Sequence, residues 1–456
     1  MTEDKPLISK PEERPAKGIW ALAALALVAV IGGTCALLIP KPPPSLTFCD
    51  TTPHEFGYVR LPHKVNDSFF YSFFQSRNKP DEDPLVVWLE GGPGSSSAWA
   101  LFNVNGPCKI ADDSSSTAPN PYSWTSNASM IWLDQPTDVG FSIGDARDGD
   151  SNEDDVGRNV HAFLQGWLDK HPSFRSRPLF LAGQSYGGHH VPAAASYIVK
   201  HAKDDANLRI NLQGIAIGNG LTDTVVQMPR TVDMAVSNTY NRTLVTPRVL
   251  KQVQKDSKAL EAVVMKCQNP DETQACLDAH EMWNDRILTP MITNPDHNVY
   301  DLRDPCVPSC KEYGMAKTEV FLNRGDVQRI LGVDKVFAWN NATVFDAYSV
   351  DFAKSTVHFL PNVLAAGVRV LLYAGDADLI CDWKGIDAFA KLLEWPGRAA
   401  YNGASVRLLE VAGELAGEIR SSGGLSFVRV FRAGHAVPVD QPAVALDLVN
   451  RFFQHM

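Results

Sequence analysis

What is missing from this chain of 456 residues narrows it first. No block of lysine and arginine interrupts a composition of 42 basic against 52 acidic side chains, a net charge of −10. Nucleic acid is therefore excluded as the expected partner. No internal repeat is visible, and 32 glycines and 30 prolines are too few and too scattered for a collagen-like or low-complexity chain. The eight cysteines acquire a meaning only once the N-terminus is read. No cysteine or histidine set with zinc-ligand spacing surrounds them, so neither a metal nor another cofactor is expected. With 45% hydrophobic and 21% charged residues, the chain reads as a large globular protein.

The one long stretch without charge is near the start. Residues 18–39 are 22 consecutive uncharged positions, mostly Ala, Leu, Val and Ile. As a helix this run spans roughly 33 Å, enough for a bilayer core. Lys5, Lys10, Arg14 and Lys17 precede it and only Lys41 follows closely. The positive-inside rule then predicts a cytoplasmic tail (1–17), a signal anchor (18–39), a Pro-rich linker (40–48), and a luminal or extracellular domain (49–456). Secretion after signal cleavage is the alternative. In the tail, Glu3-Asp4-Lys5-Pro6-Leu7-Ile8 resembles the acidic dileucine signals of endosomal and lysosomal or vacuolar proteins, which implies a sorting adaptor as partner.

An oxidising lumen favours disulfides. Cys35 falls inside the span, which leaves Cys49, Cys108, Cys267, Cys276, Cys306 and Cys310 as candidates, with Cys381 over. Six cysteines allow 15 connectivities, and the sequence does not choose among them. Asn66, Asn127, Asn241 and Asn341 head glycosylation sequons.

Apolar runs at 85–89, 130–133, 178–182, 212–218, 368–373 and 426–432 read as buried strands. Helical spacing follows in Val156, Val160, Phe163, Leu164, Trp167 and Leu168, then at about 190–201, and again at 443–453. This alternation predicts an α/β class, a mostly parallel mixed sheet flanked by helices. From about 222 to 335 the pattern turns helical and irregular and holds four cysteines, so it reads as a disulfide-stapled insertion.

Gly183-Gln184-Ser185-Tyr186-Gly187 is a G-x-S-x-G match between a predicted strand and a predicted helix. That context makes Ser185 a candidate nucleophile on a tight turn. A serine needs a base and a group that orients the base. Ala374-Gly375-Asp376-Ala377-Asp378 follows one later strand and Ala433-Gly434-His435 follows another, in the order that an α/β-hydrolase requires. Either aspartate could orient His435. The glycine-rich Glu90-Gly91-Gly92-Pro93-Gly94 and the N–H of Tyr186 are the natural oxyanion donors.

Trp88-Leu89-Glu90-Gly91-Gly92-Pro93-Gly94-Ser95-Ser96-Ser97 resembles the signature block of the serine carboxypeptidases. So do Asp134-Gln135-Pro136, Gly140-Phe141-Ser142, Ile217-Gly218-Asn219-Gly220-Leu221-Thr222-Asp223 and Asn298-Val299-Tyr300-Asp301, in family order. The resemblance implies an α/β-hydrolase that releases C-terminal residues from peptides through an acyl-enzyme. It makes Ser185 the nucleophile, Asp378 rather than Asp376 the orienting acid, His435 the base, and Gly92 and Tyr186 the oxyanion donors. Cys381 becomes a free thiol beside the acyl-side pocket, with Trp88 and Gly91 counted among the substrate-binding positions.

The departures are specific. Where the family binds a terminal carboxylate with an asparagine and two glutamic acids, this chain has Glu90, Gln184 and Val104. The family's cysteine after Gly-Pro-Gly is Ser95, and its partner position falls near Asn340. Three readings follow: an ordinary carboxypeptidase with Glu90 protonated in acid; a triad turned toward esters, amides or acyl transfer; or a non-catalytic binding protein on the same fold.

Overall fold

The computed structural model describes residues 48–204, 206–293, 297–306 and 313–454. The expected tail and span, nearly all of the linker, and Cys35 and Cys310 lie outside them. Among the described residues no helix is long and apolar enough to cross a membrane.

Ten strands form one sheet. They are β1 (His54–Arg60), β2 (Ser68–Phe74), β3 (Leu85–Leu89), β4 (Ser129–Leu133), β5 (Leu179–Ser185), β6 (Leu212–Gly220), β7 (Arg369–Gly375), β8 (Arg407–Val411), β9 (Glu414–Ser422) and β10 (Leu425–Val430). Their spatial order is β1-β2-β4-β3-β5-β6-β7-β10-β9-β8. The six central strands, from β4 to β10, run parallel, and antiparallel pairs close both edges.

The central strands are buried on both faces, which is why they read as unbroken apolar runs. Alternate residues of β3 feed two cores. Leu85, Val87 and Leu89 pack with Val160, Phe163 and Trp167, while Val86 and Trp88 pack with Leu448 and Phe452.

Helices cover the two faces: α1 (Ser97–Asn103), α2 (Glu153–Lys170), α3 (Gly187–Lys200), α4 (Pro247–Cys267), α5 (Thr273–Met282) and α6 (Pro442–Phe453). One helix over the first core, α2, begins where the Asn152 side chain accepts from the Asp155 N–H. Three acidic residues occupy its first turn and Lys170 its last, complementing the helix dipole.

Between β6 and β7 the described residues are mainly helical. Here α4 and α5 are joined by the Cys267–Cys276 disulfide, and a single π turn, Trp283–Leu288, continues α5. A second disulfide joins Cys49 to Cys108, and Cys306 is also disulfide-bonded. Four loops meet at the C-terminal ends of β3, β5, β7 and β10, and these carry the candidate chemistry.

Candidate active site

Ser185 is the last residue of β5, and α3 starts two residues later. Its φ of 58° puts a non-glycine residue in the left-handed region, which costs about 1–2 kcal/mol. A hydrogen bond from the Leu221 N–H to the Ser185 carbonyl, 2.9 Å, helps to hold the turn. The β3 loop presses against it from beneath. A Cβ on Gly91 would lie 2.5 Å from the Tyr186 nitrogen and 2.9 Å from the Ser185 Cβ, so only glycine permits this approach. The approach sets the β3 loop against the Tyr186 N–H at the start of α3, where the donors lack intrahelical acceptors.

His435 arrives on the loop after β10, its N–H bonded to the Tyr300 carbonyl at 2.8 Å. The imidazole Nδ1 is 2.8 Å from Asp378 Oδ2. That same oxygen accepts from Asn219 Nδ2 at 2.8 Å, and Asn219 Oδ1 accepts from the Gly375 N–H at 3.0 Å. The Ile380 N–H reaches the other carboxylate oxygen at 3.3 Å. Burial alone would pull His435 down, but the charge and hydrogen bond of Asp378, with Glu90 and Asp440 adding, carry it above the ordinary histidine range.

Asp376 points elsewhere. It accepts from the Tyr240 hydroxyl at 2.5 Å and the Arg432 N–H at 3.0 Å, with Arg429 at 3.4 Å, and so ties its loop to β10. The two aspartates left open by spacing are thus separated by their partners. Asn219 is the positioning group that sequence reasoning left without a role; its only signal was membership of a motif.

Ser185, His435, Glu90, Gln184, Gly92, Tyr186 and Cys381 all line one cavity of about 310 Å³. Two aromatic groups wall it. One is contiguous with His435: Tyr300 lies 5.2 Å from it, Tyr313 lies 6.2 Å from Tyr300, and Trp99 donates to the Tyr313 carbonyl. The other is contiguous with Tyr186: Phe352 stacks on it at 5.4 Å, with Phe345 and Trp283 around.

Three expected substrate contacts do not line the cavity. Val104 ends α1 and is 2% exposed in the second core, an apolar packing residue. Trp88 is fully buried behind Glu90, donating its indole N–H to Glu90 Oε2 at 2.9 Å. Gly91 serves the close approach already described. Cys381 is free and buried; burial and the charges of Asp378 and Asp382 push its thiol well up, so it is not a thiolate at neutral pH.

Glu90 is 3% exposed. Burial raises its carboxyl to about 7, although the Trp88 indole, the Gly91 N–H, Gln184 and His435 all favour its ionised form. On the rim, Ser95 and Asn340 occupy a two-residue β-bridge, and Asn340 Nδ2 donates to Ser95 Oγ at 3.0 Å. Among the described residues no group of three or more His, Cys, Asp or Glu is gathered as for a metal ion.

Of the sequons, Asn66 and Asn241 are exposed and Asn127 is half-buried. Asn341, also half-buried, spends its amide nitrogen on Asp138 at 3.1 Å.

A serine on a strained strand-to-helix turn, lining one cavity with a carboxylate-held histidine at the ends of parallel strands, defines a serine hydrolase of the α/β-hydrolase fold. The chain belongs to the serine carboxypeptidase family, whose model matches residues 44–455. A serine carboxypeptidase-like protein of Oryza sativa subsp. japonica is 38% identical over 402 residues, covering 88% of this chain and 92% of the relative. A carboxypeptidase Y homolog A of Botryotinia fuckeliana is 35% identical over 421 residues, covering 90% and 75%. Among solved structures, a prohormone-processing carboxypeptidase of Saccharomyces cerevisiae superposes with a TM-score of 0.76 at 23% identity, over 88% of this chain and 91% of that one. The protein is accordingly a hydrolase of the serine carboxypeptidase type.

Proposed function

We propose that the protein releases C-terminal residues from peptides through an acyl-enzyme on Ser185, and that Glu90 makes this activity depend on pH. The His435–Asp378 contact of 2.8 Å, in the cavity that Ser185 also lines, carries the reading. Ser185 attacks the scissile carbonyl, and His435 takes its proton and returns it to the departing amine. Asp378, held by Asn219, keeps the imidazole in the tautomer with Nδ1–H. The N–H groups of Gly92 and Tyr186 receive the oxyanion.

The leaving residue lies on the side of His435, because His435 protonates it. Glu90 is close enough to His435 for each to shift the other's titration. A protonated Glu90, with the Gln184 amide, can donate to a terminal carboxylate. An ionised Glu90 repels it, by about 4 kcal/mol at 4 Å and an effective dielectric of 20 before screening.

The sign is then set. Hydrolysis of a free-acid dipeptide rises as His435 loses its proton and falls as Glu90 ionises through about 7. The profile is a bell whose limbs belong to the coupled pair. The matching C-terminal ester or amide lacks the carboxylate, so its profile rises with His435 and shows no falling limb. The experiment measures kcat/KM for the three substrates from pH 4 to 8 on unlabelled enzyme, and treats a separate sample with a fluorophosphonate to label Ser185. Absence of label in folded protein removes the enzyme and leaves a binding protein. Identical profiles for acid and ester remove the role of Glu90.

We also propose that residues 18–39 anchor the domain in the membrane with the N-terminus cytoplasmic. The disulfides and the exposed sequons at Asn66 and Asn241 support a luminal domain in the endosomal, lysosomal or vacuolar pathway.

A further inference from the structure

The cavity wall contiguous with Tyr186 is aromatic but holds two polar side chains that the mechanism does not use. His280, in the last turn of α5, stacks face to face on Phe352 with centroids 4.0 Å apart and planes 13° apart. Asn284 follows four residues later on the same helical run, inside the π turn, and so projects from the same face. Both line the catalytic cavity. Among the described residues neither side chain has a hydrogen-bond partner in the protein. π turns recur at functional sites, and this one sits where the helical run meets the cavity.

This wall receives the acyl-side residue. The leaving residue is on the side of His435, and Leu221, bonded to the Ser185 carbonyl, joins Tyr186, Phe352 and Trp283 around the remaining volume. His280 is half-buried and Asn284 exposed; an apolar side chain entering there would pack on the rings but leave His280 unpaired and offer nothing to Asn284. A side chain that ends in both a donor and an acceptor satisfies them. Burial lowers the His280 pKa, so the ring is neutral near pH 7 and offers no cation to a carboxylate.

We propose that His280 and Asn284 form a polar subsite that selects peptides whose penultimate side chain ends in an uncharged carboxamide. The inference rests on the reading of the cavity as a carboxypeptidase site, and its test does not need turnover. Binding of two blocked dipeptides, with glutamine or leucine before the same C-terminal residue, is measured by calorimetry on Ser185→Ala at pH 6. The glutamine peptide is expected to bind about tenfold more tightly, the scale of one or two neutral hydrogen bonds. Adding His280→Phe with Asn284→Leu, which keep bulk while removing the polar atoms, is expected to abolish or invert that ratio. Retained binding of the leucine peptide shows that the variant is folded. Equal or tighter binding of the leucine peptide to Ser185→Ala, or a ratio unchanged in the triple variant, overturns the subsite. Fluorophosphonate labelling of the unmutated protein tests the catalytic reading separately.

Discussion

At the scale of single residues, Ser185, His435 and Glu90 were legible because each sits next to a glycine-rich motif at a strand end. The choice between Asp376 and Asp378 was not legible from spacing, since two residues of loop separate them. Their hydrogen-bond partners decide it: Asp378 accepts from Asn219 and meets His435, while Asp376 accepts from Tyr240 and Arg432. Val104 shows the same limit in reverse: it stands at a family motif position yet packs in the second core, because position in a motif does not say which way a side chain faces. The pair of aspartates therefore predicts two different phenotypes. Asp378→Asn should lower kcat by on the order of 10⁴-fold with little change in melting temperature, because the imidazole loses its orienting charge and its tautomer. Asp376→Asn should cost about 1–3 kcal/mol of stability and leave kcat of the folded enzyme within a few fold. Circular dichroism melts alongside active-site-titrated kinetics separate these outcomes. A collapse of kcat in a stable Asp376→Asn would reverse the assignment.

At the scale of elements, the parallel strands were readable to within about two or three residues because burial on both faces makes them uniformly apolar. The antiparallel edges were not. Arg407–Val411 and Glu414–Ser422 carry charges on exposed faces, and the turn between them places Ala412 and Gly413 at φ 52° and 83°. An alanine there hides a hairpin that Asn-Gly would have announced. Gly423-Gly424, at φ 60° and 93°, was an available hairpin signal for the next pair. The Ser95–Asn340 bridge shows what the sequence could state only as two substitutions. The Asn341 N–H bonds the Gly94 carbonyl and the Ser96 N–H bonds the Trp339 carbonyl, so Ser95 and Asn340 form the close, non-hydrogen-bonded kind of antiparallel pair. That spacing suits a disulfide. Ser95→Cys with Asn340→Cys should therefore oxidise spontaneously and stabilise the domain by about 2–4 kcal/mol, raising the melting temperature by several degrees until a reductant is added. Two titratable thiols surviving under air would show that the hydrogen-bonded rim has drifted from the geometry of a staple.

At the scale of the whole molecule, the described domain begins at a reinforced point. Phe48 is 7% exposed and packs its ring against Phe56, Phe102 and Phe321, and the next residue, Cys49, is disulfide-bonded to Cys108. A load passed through the Pro-rich segment before it would meet this cluster rather than fray β1. That arrangement suits a domain held by its N-terminus, as the proposed anchor requires, and all described catalytic loops belong to the unit that starts at Thr47. The full chain should then stay with membranes through alkaline carbonate extraction, carry glycans sensitive to a peptide-N-glycosidase, and lose only its tail to protease added to sealed vesicles. Replacing residues 1–39 with a cleavable secretory signal should release a soluble domain with unchanged kcat/KM, because no described site residue precedes position 48. Glycans on Asn66 and Asn241 are expected ahead of Asn341, whose amide nitrogen already bonds Asp138. Two results would sink the anchor. Carbonate release of a product, expressed from the full chain, whose N-terminal sequence begins after position 39 would mean that the span is a cleaved signal. An unglycosylated domain digested by external protease would place it on the cytoplasmic face, where its disulfides could not persist.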